Sequence, residues 1–535
     1  MIDVFNGSTF EEYKTYLLKC VLANNPKVKK MYDLIDLEEI TVESVLTDIS
    51  LSERDFVELI ASRRRLGYDP TVGGGNKAAE DETDRLYAKN PWKFVEEFLQ
   101  NADDCNYIST PKIDIIVDES NSTIEFAYNE KGFSRRDIWA IAAFSQSTKT
   151  DDVVENQEEE GVFYKEKTGR KGKGFKSVFS LNADNVVVHI RSNGYSFKLD
   201  NKIGRVMPVW EEDSQRMDEN THVIVELINP KFSLGKIYEE LSTLFCMEKS
   251  EEMFAKSPFL FMHRMRKVRV MRKEGKKCIE FETNYVENEL TTRYENPINI
   301  DSSKKILAGI AQNGIYYQDH FQQGVISAKS DTVHIEVPVI RYTRMVSDSM
   351  AYRNYSIMSP ILKSDTKTKW EHGALFRTFP MSLHGFNMPI SIDAPFELNP
   401  DRSGIQYRDE KTDSINASDW NSIVSDNIFK AGGVLETFFL WARTIDGIRM
   451  DKYIRSQDII LFEDRNNSDC HGNDWVDRVN VGAISKDIPV FRLFANNNEY
   501  TSLNKAEIVN KDLFTWPCVD ALFKCIIGDD YEEHI

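Results

Sequence analysis

The sequence predicts an α/β protein, on three observations: an amphipathic helix over residues 90–105, five strand-like segments between residues 112 and 227, and a glycine-rich run leading into helical text. The strand candidates are Lys112–Asp118, Thr123–Tyr128, Asn185–Ile190, Tyr195–Leu199 and Thr221–Leu227, each rich in Val, Ile or aromatic residues with partial alternation. Helical text separates the second from the third, so residues 76–230 compose one α/β unit. A second mixed region spans residues 231–445, with a last strand in MPISIDAPFEL from Met388 and helical periodicity over Trp420–Arg443, interrupted at Gly432-Gly433. Residues 1–75 read as short amphipathic helices ending at Asp69-Pro70 and a Gly73-Gly74-Gly75 hinge, and residues 446–535 as a small α/β region. A chain of 535 residues exceeds one core and fits about two to four domains.

Composition narrows the function classes. Hydrophobic content of 41% beside 29% charged residues is that of a soluble protein, and no apolar run reaches the ~18 residues of a membrane helix. The amino terminus carries neither a basic leader nor a continuous apolar stretch, which predicts a cytoplasmic location and no membrane partner. Seven scattered cysteines without a CxxC pair predict reduced thiols, not a disulfide framework or zinc site. Subtracting 86 acidic from 67 basic residues leaves −19, which disfavours direct contact with nucleic acid and leaves only indirect involvement. The basic run His263–Lys277 alternates with apolar residues, as the wet face of an edge strand does, a local contact with nucleic acid being the lesser alternative.

The chemistry begins on the helix. Asn90-Pro91 is a strong start, because Asn accepts from an orphan amide and proline is preset for the first turn. At about 100° per residue, Glu97, Asn101 and Asp104 share a sector of ~60°, beside an apolar stripe of Phe94, Val95, Phe98, Leu99 and Ala102. An acid, an amide and a second acid are what nucleotide hydrolysis requires: a base for the attacking water, an oxygen ligand for magnesium and a polar group near the nucleoside. Alone, the trio fits a solvated helix face better.

Further along, Asn129-Glu130-Lys131-Gly132-Phe133 makes a turn in which Asn129 offers an amide oxygen to an adenine amino group, a generic turn being the alternative. Ser145–Lys149 (SQSTK) ends a helical stretch with hydroxyls and a lysine, and an acidic lid-like segment follows from Asp151 to Lys167. Gly169-Arg170-Lys171-Gly172-Lys173-Gly174-Phe175 then leads into KSVFSL, read as helix, so that free backbone amides at a helix start hold anions. Lys171 and Lys173 either add charge there or face solvent.

Taken together, EEFLQNADD at 96–104, YNEKGFSRRDIWAIAAFSQSTK at 128–149 and GRKGKGFKSVF at 169–179 resemble the GHKL ATPases, most closely the sacsin and NO VEIN branch. DRLYAKNPWKF before the helix, NGYSFKLD at 193–200 and SIDAPFELNPDRSGI at 391–405 extend the resemblance over roughly residues 80–430. It implies a Bergerat fold, a mixed sheet covered by helices on one face, followed by a second, transducer-like α/β domain. It also implies ATP and Mg2+ as cofactors. By resemblance Glu97 is the general base, Asn101 the magnesium ligand and Asp104 a nucleoside-side residue. The nucleotide-binding set continues with Asn129, Gly132, Phe133, Ser147, Thr148, Lys149, Gly169, Lys171, Gly172, Lys173, Gly174 and Phe175, and with Thr221 supporting adenine recognition. Most of the superfamily has aspartate where this chain has Asn129, and a neutral amide is the weaker acceptor. Arg402 resembles the arginine that the large heat-shock chaperones send to the terminal phosphate from their second domain; the alternative is a turn arginine paired with Asp401 or Glu397.

The resemblance implies a slow, nucleotide-gated ATPase that couples lid and domain closure to a protein partner, most simply as a homodimer. Two alternatives remain: an accessory ATPase of a bacterial defence or DNA-processing system, and a nucleotide-binding scaffold with little turnover. A histidine kinase fits poorly, because the first histidine is His189, inside the ATP unit. HExxH and GxSxG are both absent, and Cys105 reads as packing.

Overall fold

The computed structural model describes residues 42–47, 50–68, 75–87, 93–144, 174–212, 220–244, 257–285 without 263, 290–294, 316–331, 334–347 and 352–363. With short gaps it also describes 373–398, 421–448 and 491–501, and isolated positions at 26, 27 and 30. The chain is mixed α/β, built on one large sheet.

The first part of that sheet holds β1 (Lys112–Asp118), β2 (Thr123–Tyr128), β3 (Ala183–Ser192), β4 (Tyr195–Asp200), β5 (Gly204–Trp210), β6 (Thr221–Pro230) and β7 (Lys267–Arg272), in the order β7-β1-β2-β6-β3-β4-β5. The β1/β7 pair is parallel and the other neighbours in this part are antiparallel. Beyond β7 the same sheet continues through β8 (Lys277–Tyr285), β10 (Tyr316–Ser330), β11 (His334–Ser347), β12 (Tyr352–Pro360), β15 (Ser391–Asp393), β13 (Leu375–Arg377) and β14 (Phe379–Pro380), with β9 (Leu290–Tyr294) pairing β10. It therefore runs without a break across the expected boundary at residues 230/231. A separate hairpin joins β16 (Phe491–Leu493) to β17 (Asn496–Thr501).

All five expected strands recur with longer or equal bounds, and β5 is added to them. Its Pro208 disguises it in the sequence, yet β5 ends the sheet, where a missing amide costs no ladder bond. The basic run is corrected: β7 is no edge strand but lies between β1 and β8. Its alternation serves ion pairing across neighbours, Arg269 Nε donating to Asp114 Oδ1 at 2.6 Å and Lys267 Nζ lying 2.8 Å from Glu280 Oε1.

Seven helices carry the argument: α1 (Val42–Thr47), α2 (Glu53–Arg64), α3 (Gly75–Tyr87), α4 (Lys93–Asp103), α5 (Arg135–Ile141), α6 (Leu234–Leu244) and α7 (Val434–Ala442). Reciprocal capping boxes start two of them, Ser52 with Asp55 on α2 and Ser134 with Asp137 on α5. Of the expected Gly73-Gly74-Gly75 hinge, Gly75 opens α3 and its two neighbours lie outside the described residues. Gly174–Ser180, read from sequence as α-helix, is instead a 3-10 turn. Ser177 explains the difference, since its hydroxyl donates to the Gly174 carbonyl three residues back at 2.6 Å and favours the tighter winding.

Period-two alternation sorts the strands. Ile113, Ile115 and Val117 of β1, Ile124 and Phe126 of β2, Val188 and Ile190 of β3, and Val223 and Val225 of β6 join Phe94 and Phe98 of α4 and Ile237 and Leu241 of α6 in one core. Each such side chain contributes about 1.5–3 kcal/mol on burial. Phe56, Val57, Leu59 and Ile60 of α2 belong to that core too, so the amino-terminal helices pack with the sheet. The intervening residues form a ladder of opposite charges: Asp118 with Lys273, Glu125 with His222, and His189 between Glu211 and Glu226.

Candidate functional site

Helix α4 carries its apolar stripe as expected, with Phe94, Val95, Phe98, Leu99 and Ala102 all buried. Its start at Asn90-Pro91 lies outside the described residues. Glu97, on the flank of the stripe, is not a solvated surface acid but is 3% exposed. The reason is Gly174. A β-carbon there would stand 1.8 Å from Glu97 Oε2 and 2.4 Å from Cδ, so the last glycine of the expected phosphate loop lays bare backbone on the carboxylate. Phe175 secures the contact by stacking on Phe98, with ring centroids 5.0 Å apart and planes at 17°.

One turn on, Asn101 is half-buried, and Asp104 just past the end of α4 is half-buried as well. The fully buried acid of this end is Asp103, whose Oδ1 accepts from the backbone amides of Arg264 and Met265 at 2.8 Å each. It anchors α4 to the segment before β7.

A second cluster forms at the carboxyl end of α4. The Cys105 thiol donates to the Asn101 carbonyl at 3.1 Å, with the Glu130 carboxylate beside it. Tyr107 pairs with Glu130 as an isolated antiparallel bridge, and Lys131 N donates to Asn106 O at 2.9 Å. Glu130 is 8% exposed, and its Oε1 accepts from the Thr221 hydroxyl at 2.5 Å. Thr221, fully buried, lies 2.6 Å from Ser192 Oγ, which accepts from Phe133 N at 2.8 Å. One proton per hydroxyl orders the chain: Phe133 N–H to Ser192, Ser192 O–H to Thr221, Thr221 O–H to Glu130. Burial, and behind it the neighbouring Asp137, raises the Glu130 carboxyl above its ordinary value despite the Thr221 hydrogen bond.

Asn129, the expected adenine acceptor, is occupied otherwise. Its Oδ1 accepts from Lys112 N at 2.8 Å, and its Nδ2 donates to Ser109 Oγ at 2.8 Å and Thr110 O at 3.0 Å, pinning the turn before β1. The acid facing Thr221 is Glu130, which the sequence reading passed over. Strand phase signals it: continuing β2 in period two from buried Tyr128 sends Asn129 outward and Glu130 inward. Gly132 and Phe133 sit at this cluster; at φ +92° a β-carbon on Gly132 would stand 2.6 Å from Asn193 Cβ, and Phe133 is buried against Tyr128.

The structure thus brings Gly174 to Glu97 and Phe175 to Phe98 on α4, and Thr221, Gly132 and Phe133 to Glu130. Ser147, Thr148, Lys149, Gly169, Lys171, Gly172, Lys173 and Arg402 lie outside the described residues.

No family model matches the chain. Protein NO VEIN of Arabidopsis thaliana is 32% identical to it over 137 residues, a stretch covering 25% of this chain and 4% of the plant protein.

Proposed function

We propose that this chain binds ATP with magnesium in a Bergerat-type pocket and hydrolyses it slowly, as a conformational switch of the GHKL type near the sacsin and NO VEIN branch. The observation that carries the reading is the bare backbone of Gly174 against the buried Glu97 carboxylate. A triphosphate needs main-chain amides with no side chain in the way, and a site for its hydrolysis needs a desolvated acid beside them. The residues present fit that group at both ends of α4.

Magnesium-ATP supplies the phosphoanhydride bond and the cation that offsets its charge. Glu97 orients and deprotonates the attacking water, and a buried carboxylate is suited to that work. Asn101 would offer one neutral oxygen to the magnesium, which would supply positive charge against the phosphates. Glu130, its carboxylate held by Thr221, accepts from the exocyclic amine of adenine in the role first expected of Asn129. Phe175, stacked on Phe98, keeps Gly174 seated. Coupling of turnover to domain closure through Arg402, a homodimer, a protein partner and a cytoplasmic location belong to the same proposal. Among the described residues no helix is long and apolar enough to cross a membrane.

The test is calorimetric ATP binding and steady-state phosphate release for the parent, Glu97→Gln and Glu130→Ala. Glu97→Gln retains binding and loses turnover by about 100-fold or more. Glu130→Ala weakens binding by roughly tenfold or more, the worth of one charge-assisted hydrogen bond. A parent that binds no ATP ends the proposal, and one that binds without turnover is a nucleotide-binding scaffold.

A further inference from the structure

Lys176 follows Gly174 by two residues and is 1% exposed, an unusual place for an ammonium. Its Nζ donates to the carbonyl of Ile141, the last residue of α5. Among the described residues no carboxylate lies within ion-pair distance of it. The charges acting on it are the guanidiniums of Arg64 and Arg205, opposed by the carboxylate of Glu80. Burial first, and those two cations second, hold its amine well below the usual lysine range.

A second cation reaches the same place. Arg64, at the end of α2, donates from Nε to the carbonyl of Ala142 at 2.6 Å, and its guanidinium lies over the Trp139 ring at 4.9 Å from the centroid. Two basic side chains, one from the segment that begins at Gly174 and one from α2, therefore share the carbonyl end of α5, where the helix dipole is negative.

Taking an ammonium out of water with one carbonyl and the face of the Phe175 ring, 5.1 Å from Nζ, for company is unfavourable, and a methionine of similar length would fill the space without that cost. Such costs persist in folds where they hold a geometry that matters. The geometry in question is close at hand. The 3-10 turn ties Lys176 rigidly to Gly174, Ser177 Oγ holds the Gly174 carbonyl at 2.6 Å, and Phe175 between them stacks on Phe98.

We propose that Lys176 is a positioning residue: anchored on the Ile141 carbonyl, it holds Gly174 against Glu97, and Arg64 makes helix α2 part of the same anchor. Its consequence for nucleotide binding rests on the ATP reading above. The anchor itself does not.

The experiment compares the parent chain with Lys176→Met and Arg64→Met by thermal melting, by amide hydrogen exchange without nucleotide, and by calorimetric binding of magnesium-ATP. Lys176→Met is expected to melt no lower than the parent, since an apolar isostere relieves the buried charge. Exchange at the amides of residues 174–178 quickens by about tenfold, because the local opening they report loses its restraint. The Kd for ATP rises by a similar factor of about ten. Arg64→Met quickens the same amides by roughly threefold. Unchanged exchange at 174–178 overturns the proposal, as does a Lys176→Met protein that has no melting transition, for the ammonium would then serve the fold alone. A parent that binds no ATP sinks the nucleotide reading while the exchange comparison still decides the anchor.

Discussion

The α-carbon of Gly174 rests on the carboxylate of Glu97, so that any β-carbon at position 174 would fall 1.8 Å from Oε2. Gly174→Ala has to push a buried acid aside, and overpacking of this kind costs about 1–3 kcal/mol. Removing the acid as well makes room. Urea denaturation of Gly174→Ala, Glu97→Ala and the double variant is expected to show a coupling energy of about 1 kcal/mol or more, most of the Gly174→Ala loss returning in the double. Additive losses would mean that the two residues do not touch.

Thr221 is the middle of the hydroxyl chain from Phe133 to Glu130. Thr221→Val keeps the shape of the side chain but leaves the Ser192 hydroxyl and the Glu130 carboxylate each short of a buried partner. A loss of about 1–3 kcal/mol in thermal or chemical stability is expected. Asn129→Ala should leave the Glu130 cluster intact, with wild-type-like nucleotide affinity, since its amide serves the 109–112 turn.

Glu130 also makes the protein sensitive to acid and base in a defined sense. Its carboxyl is raised in the fold above the ordinary 4.5, so the folded chain holds that proton more tightly than the unfolded chain. The stability it contributes is complete below about pH 4.5 and is lost as pH rises through the folded value. Urea midpoints measured from pH 4 upward should decline less steeply in Glu130→Gln than in the parent.

His189 works in a higher window. Both ring nitrogens meet carboxylates, Nδ1 with Glu211 at 2.8 Å and Nε2 with Glu226 at 3.0 Å. Burial opposes the imidazolium, but the two carboxylates outweigh it and raise His189 above 6.5. Its contribution is therefore fully present below pH 6.5 and disappears as pH rises through the folded value. With pairs this close to the surface the effect amounts to about 0.5–1 kcal/mol. A histidine carbon-proton signal followed by NMR should titrate above the free value in the parent, and His189→Gln should flatten the corresponding limb of the stability curve.

Much of this architecture can be read in the chain itself. The stripe of Phe94, Phe98 and Ala102 and the alternation in β1 and β2 are local patterns, and each reappears where its period places it. Glu97 was legible as one member of a polar flank, because helical geometry depends only on spacing. Its burial was not, since that depends on Gly174, which stands 77 positions later in the chain and reaches α4 only when the core closes.

The same division explains Asn129, Glu130 and β7. Residue types in the turn suggested an amide for adenine, but which of two adjacent side chains meets Thr221 follows from the pairing of Tyr128 with Thr221 across β2 and β6. The basic residues of β7 suggested an exposed edge, and only their pairing with the carboxylates of β1 and β8 shows their strand to be an inner one of the sheet. Period and composition are properties of neighbours along the chain, so the sequence by itself determined the elements and their apolar faces. Partners, register and burial arise between segments far apart in sequence, and these the tertiary structure alone decided.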